Sequence, residues 1–478
     1  MNPNITKQII EDKLNDMPDS VIGDKHDVNL KFIEKVITEH TGVNISNPYL
    51  KKTKSKILSP KNFELEKNTV WSFKSRGSWA THNGNYRGNW SPYIPRNIIL
   101  RYSNEGDTVL DYFCGAGTTA IECKLLNRNF IGVDINSSAI ELTKLNLDFE
   151  NDSSLLLKPD ISAFVGDARN LMIDKNSVDL ICAHPPYSNI INYTAGHPGD
   201  LSNLDIKKFL DEMDKVAKES FRVLKDDKYC AILIGDMRKN KNVVPLGFWV
   251  AEKFLNNGFC LEEMIIKRQH NCKTTGFWYK NSIKYNFLLL AQEYLIVFKK
   301  DSNAAKNNFN INENILVGDK QLRVPKTIKK DICLEVKTVW IFNRNNWLKD
   351  AISNLVQIYS NNSYTIFNNS FSPDKKKKYN LIILPEKNYT ENDLINLSNC
   401  LNEKGLLAIF CQDRRLANGI LDSSPIRIEK LLRNEDSLKI KEIIVVALNN
   451  EMDKNKKNFE SNKYLDINHK YILLYSKN

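Results

Sequence analysis

The stretch DTVLDYFCGAGTTAIECKLLNRNFIGVDIN, residues 107–136, has the order of a strand, a glycine loop, a helix, a second strand and an acid. Its first apolar run, Thr108 to Tyr112, is long enough for a buried strand and too short for a helix. Thr118 and Thr119 then provide caps for a helix with apolar residues at helical spacing, and the second apolar run ends at Asp134. Open α/β sheets bind ligands at the carboxyl ends of their parallel strands. The stretch therefore predicts an α/β fold with a ligand site at the glycine loop.

The chemistry of this loop follows from the side chains it lacks. Gly115 and Gly117 have no Cβ, so the backbone can turn sharply and a ligand can approach it closely. Asp134 can accept hydrogen bonds from both ribose hydroxyls of an adenosine cofactor. The loop has neither the third glycine of a dinucleotide fingerprint nor the Gly-Lys-Ser/Thr of a phosphate-binding loop. On this stretch alone, a nicotinamide-binding unit remains an alternative.

A second motif narrows the choice. Residues 178–187, VDLICAHPPY, form a buried strand that runs into the tetrad His184-Pro185-Pro186-Tyr187. The two motifs together resemble the S-adenosylmethionine-dependent DNA methyltransferases that modify the exocyclic amino group of adenine (N6) or cytosine (N4). The signatures of that family are Phe-x-Gly-x-Gly and Asp/Asn/Ser-Pro-Pro-Tyr/Phe/Trp. Both are matched here except at His184, and the resemblance covers about residues 70–300.

The resemblance implies a Rossmann-like class I methyltransferase domain with S-adenosylmethionine as its cofactor. In the family a third acid accepts from the cofactor's adenine, and Asp167 stands at that position, with a helix cap or turn residue as the alternative. The segment from His82 to Ile99 resembles the one that covers the methionine end of the cofactor, so we expect residues 85–90 to line the pocket or face DNA. The cofactor-binding candidates are Asp111, Phe113, Cys114, Gly115, Gly117, Thr118, Thr119, Asp134, Asp167 and Asn85.

The catalytic candidates are the tetrad residues His184, Pro185, Pro186 and Tyr187. An exocyclic amine is a poor nucleophile, because its lone pair is delocalised into the ring. Two acceptors aimed at its hydrogens turn that lone pair toward the methyl group, and the family uses the side chain at position 184 and the backbone carbonyl at 185. The prolines stiffen the loop, and Tyr187 offers a face for a base taken out of the duplex. No cysteine adjoins the prolines, which argues against the ring-carbon cytosine methyltransferases.

His184 departs from the family pattern and leaves the target base undecided between adenine N6 and cytosine N4. A neutral imidazole can accept a hydrogen bond at one nitrogen, whereas a protonated imidazole cannot accept any. We therefore expect activity to fall as the pH drops toward the pKa of His184. The alternative is that His184 marks a degenerate, inactive site.

Composition limits the class of protein. The chain has 478 residues, 42% hydrophobic and 26% charged, and a formal net charge of +11. No apolar run predicts a membrane span and no signal peptide opens the chain, so we expect no membrane association. Nine cysteines without CxxC pairs or metal-ligand spacing indicate free thiols in a reducing cytoplasm and no metal site. The positive charge permits a nucleic-acid partner without requiring one.

The pattern divides the chain into four parts. Residues 1–60 form a polar, partly helical N-terminal extension, and residues 61–300 form the catalytic methyltransferase domain. Residues 301–330 are a polar, lysine-rich linker, and residues 331–478 form a second domain. A basic and aromatic loop at 267–280 is one expected contact with DNA. The candidate DNA-binding residues are Arg87, Asn189, Tyr193, Lys267 and Lys273.

The second domain resembles a worn copy of the first. LNEKGLLAIFCQDRR, residues 401–415, aligns with LKDDKYCAILIGDMR, residues 224–238. The copy has no Pro-Pro-Tyr and no paired glycines. We therefore predict a degenerate methyltransferase-like α/β domain without a cofactor site, used for target recognition or for clamping. The alternative is a convergent αβ pattern, and different strand orders in the two domains would favour it.

The sequence predicts a site-specific methyltransferase that acts on a flipped adenine or cytosine in double-stranded DNA. The alternatives are an RNA methyltransferase of the guanine-N2 type, a protein methyltransferase and a non-catalytic nucleic-acid-binding homologue. A cognate restriction endonuclease is a candidate partner, and both a monomer and a dimer fit the sequence.

Overall fold

A computed structural model describes residues 3–14, 17, 19–28, 32–33, 36, 57–86, 88–149, 158–187, 199–270, 275–301, 336–360, 363–367, 377–385, 389–449 and 464–478. The predictions for Arg87, Asn189, Tyr193 and Lys273 lie outside these residues, and so do residues 302–330 of the predicted linker.

The helices of the described residues are α1 (Pro3–Leu14), α2 (Asp19–His26), α3 (Tyr93–Tyr102), α4 (Thr118–Leu125), α5 (Ser137–Asn146), α6 (Ile206–Val223), α7 (Leu246–Asn256), α8 (Thr275–Tyr285), α9 (Trp347–Tyr359), α10 (Glu391–Ser398) and α11 (Ser424–Leu432). None of these helices combines the length and the apolar character needed to cross a lipid bilayer. Helix α8 corrects the prediction of an uninterrupted loop at 267–280, since this part of the chain enters a helix at Thr275.

The strands of the first half are β1 (Val70–Trp71), β2 (Thr108–Asp111), β3 (Asn129–Asp134), β4 (Ile161–Val165), β5 (Val178–Ala183), β6 (Leu224–Ile234), β7 (Met237–Lys239), β8 (Asn242–Val244), β9 (Cys260–Arg268) and β10 (Gln292–Lys299). Eight of them form one sheet in the order β1-β9-β10-β6-β5-β2-β3-β4, and β7 and β8 form a separate hairpin. Only β10 runs antiparallel to its neighbours in that sheet. The prediction of a Rossmann-like class I methyltransferase fold is confirmed.

This topology brings the two sequence motifs together. Strands β2 and β5 are parallel neighbours, with Leu110 opposite Ile181, so the glycine loop and the tetrad leave the same edge of the sheet. The chain runs from β2 outward to β3 and β4, and β5 then starts on the other side of β2. Such a reversal of strand order leaves a crevice at the carboxyl ends of the strands, where ligands bind in α/β sheets.

Burial explains why these segments form a covered sheet. Every residue of β5 is buried, as expected for a central parallel strand with helices on both faces. Helix α6 begins where the Asp205 side chain accepts a hydrogen bond from the Lys208 amide, and its apolar face packs on the sheet through Phe209, Met213 and Val216. Burial of each such side chain stabilises the fold by roughly 1.5–3 kcal/mol.

The strands of the second half are β11 (Val339–Asn343), β12 (Tyr364–Ile366), β13 (Tyr379–Leu384), β14 (Leu401–Cys411), β15 (Asp413–Arg415), β16 (Leu421–Ser423), β17 (Leu438–Asn449) and β18 (His469–Lys477). Six of them form a sheet in the order β11-β17-β18-β14-β13-β12, with β18 antiparallel to its neighbours. Position by position, this order repeats β1-β9-β10-β6-β5-β2 of the first sheet. The predicted second methyltransferase-like domain is therefore present, and its sheet has no counterpart of β3 and β4 in the described residues.

Candidate active site

The glycine loop between β2 and α4 depends on two left-handed glycines. Gly115 has φ 50° and Gly117 has φ 78°, a region that side-chain-bearing residues rarely adopt. A Cβ at Gly117 would lie 2.8 Å from Cγ2 of Thr143 on α5. Thr143 also donates from its hydroxyl to the carbonyl of Gly115 at 2.8 Å, so α5 holds the loop in place. Sequence reasoning did not find this role of Thr143.

Asp134, at the end of β3, faces the glycine loop. Its carboxylate accepts hydrogen bonds from the amides of Gly115 and Asn136, each at 2.9 Å. Burial raises the pKa of Asp134 to about 6, although these two amides act against the shift. The Ile135 amide is a third donor to this carboxylate. A carboxylate offers about four acceptor positions, so Asp134 keeps capacity for a ribose hydroxyl.

Asp111 and its neighbours stiffen the start of the loop. The Asp111 carboxylate accepts from the amide of Phe113 at 3.0 Å and from the hydroxyl of Thr119 at 2.5 Å. Burial raises the pKa of Asp111 to about 7. Thr119 is fully buried and its hydroxyl makes this contact, so Thr119 supports the loop from below.

Asp167 follows β4 and is engaged by a neighbouring arginine. Nε of Arg169 donates to Oδ1 of Asp167 at 2.8 Å, and Nη2 donates to Oδ2 at 2.5 Å. Burial works against ionisation of Asp167, but Arg169 outweighs it and holds the pKa of the carboxyl below its usual value. Asp167 is therefore an ionised acceptor, and 38% of its side chain remains exposed.

These acids meet in a first cavity. The cofactor-binding candidates that line it are Asp111, Phe113, Cys114, Gly115, Asp134 and Asp167. Those that do not line it are Asn85, Gly117, Thr118 and Thr119. Asn85 is exposed, and its neighbours Tyr86, Gly88, Asn89 and Trp90 line the cavity instead.

Arg76 fixes the wall that carries Trp90. Its guanidinium donates to the carbonyls of Asn89 at 2.7 Å and Trp90 at 2.8 Å, and its own carbonyl accepts from the hydroxyl of Ser91. The imidazole of His184 stacks on Trp90, with ring centroids 5.5 Å apart and planes 19° apart. The wall and the tetrad are thus in direct contact.

A chain of polar contacts leads from His184 to β10. Nε2 of His184 lies 2.8 Å from the Tyr187 hydroxyl, which donates to Oε1 of Glu293 at 3.0 Å. Nζ of Lys267 donates to Oε2 of Glu293 at 2.6 Å. Burial opposes ionisation of Glu293, but Lys267, His184 and Tyr187 outweigh it and lower the pKa of this carboxyl.

The direction of these hydrogen bonds fixes a proton on His184. An ionised Glu293 can only accept, so the single hydrogen of the Tyr187 hydroxyl points to Glu293. The hydrogen between His184 and Tyr187 must then come from Nε2 of His184. Burial lowers the pKa of His184 to about 4, with Lys267 and Arg76 adding to the shift and Glu293 and the Gly88 backbone opposing it. The neutral ring then has its unprotonated nitrogen at Nδ1, and the imidazole also contacts the Gly88 backbone.

A second cavity lies against the same histidine. It shares Gly88, Asn89, Trp90 and His184 with the first cavity. Its other lining residues include Phe73, Arg76, Tyr187, Lys267, Arg268, His270 and Glu293. Sequence reasoning did not single out Glu293, and the only signal was a lone acid within the apolar run QEYLIVFK.

Comparison with known proteins agrees with this geometry. A DNA methylase model of the N6/N4 type matches residues 4–145, and a methyltransferase-domain model matches residues 103–278. The type II methyltransferase M.HpaI of Haemophilus parainfluenzae is 57% identical over 53 residues, which cover 11% of this chain and 17% of that protein. M.BglI of Bacillus subtilis, also a type II methyltransferase, is 34% identical over 89 residues, or 18% of this chain and 26% of that protein. Over the matched residues, the chain is similar to the N6/N4 DNA methylases.

The chain also has relatives outside DNA modification. A tRNA (guanine(10)-N2)-dimethyltransferase of Methanothermobacter thermautotrophicus is 33% identical over 127 residues, which cover 26% of this chain and 34% of that protein. The chain thus spans at most about a third of the length of these three relatives. A solved S-adenosylmethionine-dependent methyltransferase of Methanosarcina mazei matches 43% of this chain and 97% of its own, at 19% identity and a TM-score of 0.29.

S-adenosylmethionine is the cofactor of N6/N4 DNA methylases, and the first cavity fits it. Asp134 has free acceptor capacity for a ribose, and Asp167 is an ionised acceptor at the cavity wall. Because Gly115 has no Cβ, the space beside the Tyr86 ring stays open. A Cβ at this position would lie 3.1 Å from that ring. When bound, the cofactor supplies a methyl group activated by a positively charged sulfur.

Proposed function

We propose that this chain methylates the exocyclic amino group of adenine (N6) or cytosine (N4) in double-stranded DNA. The observation that carries the proposal is the position of His184 and Trp90 between two cavities. The first cavity fits the methyl donor, and the second fits a base that has left the duplex. A base inside a duplex cannot reach such a pocket, so the proposal includes base flipping.

Each tetrad residue has a role in this reaction. Nδ1 of His184 and the backbone carbonyl of Pro185 accept hydrogen bonds from the amine and orient its lone pair. The two prolines keep the acceptors rigid, and the Tyr187 ring stacks on the base. The contacts of His184 with Trp90 and Tyr187 favour an active site over a degenerate one, because they hold the ring in one orientation and one tautomer.

The surroundings of the second cavity suit a nucleic-acid backbone. Arg76, Lys267, Arg268 and His270 line it, and α8 follows closely in the chain. Helix α8 exposes Trp278, Tyr279, Ile283 and Tyr285, which can stack on bases or pack against sugars. Among the predicted contacts, Lys267 is paired with Glu293, so its ammonium serves the base pocket rather than a phosphate.

An RNA substrate is the second candidate. The match to the Methanothermobacter thermautotrophicus tRNA enzyme favours it, because that match is longer than those to the two DNA enzymes described above. Methylation of duplex DNA and of total RNA with radiolabelled cofactor separates the two substrates.

Sequencing of single DNA molecules tests the proposal directly. DNA from a methylation-free bacterial host that expresses this chain is compared with DNA from a host that expresses His184→Ala. A modified base within one short motif, absent in the control, would identify the target base and the recognition sequence together. Unmodified DNA alongside modified RNA would overturn the proposal in favour of the RNA enzyme.

The same proposal implies a setting in the cell. DNA and S-adenosylmethionine are both present in the cytoplasm of a bacterium, so the proposed function implies that compartment. A cognate restriction endonuclease would be the natural partner, and resistance of the host DNA to a nuclease specific for the methylated motif would support that part.

A further inference from the structure

The two methyltransferase-like domains contact each other through pairs of equivalent bonds. In one pair, Asn68 bridges Asp466 just before β18; in the other, Lys337 bridges Leu289 just before β10. The backbone bonds repeat as well, since Thr69 N donates to Asp466 O at 3.0 Å and Thr338 N donates to Leu289 O at 2.9 Å. In each domain, the residues just before the first strand bind the segment that precedes the antiparallel strand of the other domain.

Buried ion pairs repeat the same reciprocity. Arg238 of the first domain pairs with Glu442 of the second at 2.6 Å, and Glu442 also accepts from the Leu288 amide at 3.0 Å. Conversely, Arg415 of the second domain pairs with Glu263 of the first at 2.6 Å, and Glu263 also accepts from the Leu465 amide at 3.0 Å. Arg238 and Arg415 occupy the same position in the aligned sequence repeat.

Two threonines complete the pattern. The hydroxyl of Thr338 accepts from the Ala291 amide at 3.0 Å and contacts the Gln292 side chain. The hydroxyl of Thr69 accepts from the Asn468 amide at 3.2 Å and lies 2.7 Å from Nδ1 of His469. Gln292 and His469 are the first residues of β10 and β18, which hold the same place in the two sheets.

Contacts in which residue i meets j while j meets i are the signature of a two-fold, isologous dimer. We propose that the C-terminal domain occupies the place of a second methyltransferase subunit, so that the chain is a monomer with one cofactor site, and that this domain braces the base pocket. The surface through which two copies would pair is already filled from within the chain.

The brace acts on residues 286–292, which lead directly into Glu293. The second domain binds this segment at the Leu288 amide, the Leu289 backbone, the Ala291 amide and the Gln292 side chain. Glu293 then holds Tyr187 and Lys267 in the second cavity. Displacement of reacting groups by about 1 Å can reduce the rate about 100-fold, so a loosened brace should slow methyl transfer.

The reciprocal brace acts on the second domain. Thr69 and its neighbours hold the segment before β18. The second residue of β18 is Lys470, whereas the second residue of β10 is Glu293. Nζ of Lys470 donates to the Gln412 side chain at 2.5 Å. The second half contains no Pro-Pro-Tyr sequence. The chain therefore provides a matched pair of threonines with equivalent bonds, of which Thr338 binds the segment that leads into Glu293.

The first test does not depend on activity. The molar mass of the full chain in solution is measured by light scattering, and cofactor stoichiometry is measured by calorimetric titration. We expect one chain per particle and one S-adenosylmethionine per chain. A two-chain particle, or two cofactors per chain, would overturn the assignment of the C-terminal domain as an internal partner.

The second test rests on the proposed function and compares Thr338→Val with Thr69→Val. Both variants should lose a similar, small amount of thermal stability, because each removes a hydroxyl that accepts from a backbone amide. Thr338→Val should lower kcat for DNA methylation by about 10-fold or more, with cofactor affinity unchanged. An unchanged kcat in Thr338→Val, at the same loss of stability, would overturn the brace. Complete inactivity of the wild-type chain on DNA would instead count against the proposed function, while the mass and stoichiometry still decide the internal partnership.

Discussion

One hydroxyl in the base pocket determines what His184 can do. The Tyr187 hydroxyl has a single hydrogen, and Glu293 accepts it, so His184 donates from Nε2 and carries no hydrogen on Nδ1. Sequence reasoning required a neutral imidazole in a suitable tautomer, and this contact selects the tautomer. The acceptor that the family supplies with Asp, Asn or Ser is here supplied by a ring whose orientation depends on β10.

Removal of that hydroxyl should uncouple His184 from Glu293. In Tyr187→Phe the aromatic face for the base remains, but Nε2 of His184 loses its partner and the tautomer is no longer fixed. We expect kcat for DNA methylation to fall about 10- to 100-fold, with the KM for DNA nearly unchanged. Steady-state kinetics measure both constants, and a raised KM with an unchanged kcat would contradict the role.

The pKa of His184 predicts where activity is lost in acid. The ring is neutral at pH values above its pKa of about 4, and it loses its acceptor as the pH falls through that value. At saturating cofactor and DNA, titration of His184 should leave kcat unchanged between pH 5.5 and pH 8. A drop in kcat centred near pH 6.5, the ordinary pKa of histidine, would contradict a buried, neutral His184.

Cofactor affinity should respond to pH through a different residue. The pKa of Asp134 is raised to about 6, so its carboxylate protonates as the pH falls through 6 and then accepts ribose hydroxyls poorly. Below pH 6, the Kd for S-adenosylmethionine should rise about 10-fold per pH unit. Calorimetry measures this, and Asp134→Asn, which does not titrate, should bind weakly without this pH dependence. If Asp134→Asn showed the same loss of cofactor affinity at low pH, that loss would be assigned to Asp111 instead.

Gly115 tests how closely the cofactor approaches the loop. An alanine there adopts a φ of 50° and places its Cβ 3.1 Å from the Tyr86 ring, at the cavity wall. Gly106 has a φ of 81° but nothing within 4 Å of an added Cβ. Both alanine variants should lose about 1–2 kcal/mol of stability from the backbone alone, measured by denaturant unfolding. Only Gly115→Ala should also weaken cofactor binding, and equal Kd values for the two variants would contradict the role of the loop.

At the scale of elements, the hairpins β7–β8 and β15–β16 place Arg238 and Arg415 against carboxylates of the opposite domain. Burial raises the pKa of Glu442, and Arg238 limits that rise. The same holds for Glu263 and Arg415. Each hairpin thus supplies the cation without which a buried carboxylate of the other domain would be costly to ionise.

Arg238→Ala should therefore destabilise the protein strongly at neutral pH. Loss of one partner of a buried ion pair costs about 3–5 kcal/mol. Without Arg238 the pKa of Glu442 rises further, so the deficit is full at neutral pH and shrinks as the pH falls and Glu442 protonates. Denaturant unfolding at pH 7.5 and pH 5 measures this, and Arg415→Ala should lose a similar amount. A pH-independent loss would show that Glu442 is not the cause.

At the scale of the whole molecule, the excess of basic residues should appear in DNA binding. The formal net charge is +11, and Arg76 and Arg268 lie at the base pocket. If six or more phosphates are neutralised, DNA affinity should fall on the order of 1000-fold between 50 and 200 mM salt. Fluorescence anisotropy with a labelled duplex measures the slope, and Arg268→Ala should reduce it by about one unit. A slope near zero would contradict a phosphate-bound substrate.

Short sequence patterns were enough to predict the features that depend on neighbouring residues. Gly115, Gly117 and Asp134 lie within one strand–loop–helix–strand unit, and His184 follows its own strand directly, so short patterns predicted the fold class, the loop and the tetrad. The aligned repeat also predicted the second domain. The sheet order was not needed for these predictions, because local backbone geometry and apolar runs suffice for them.

How these parts act together depends on contacts between residues that are far apart in the sequence. Tyr187 and Glu293 are 106 residues apart and Arg238 and Glu442 are 204 apart, and no short-range pattern links such pairs. Their contacts exist because β10 inserts between β6 and β9, and because two sheets of the same order bury their leading segments against each other. Side-chain pairing across a fold depends on strand order and burial, which composition and spacing do not encode.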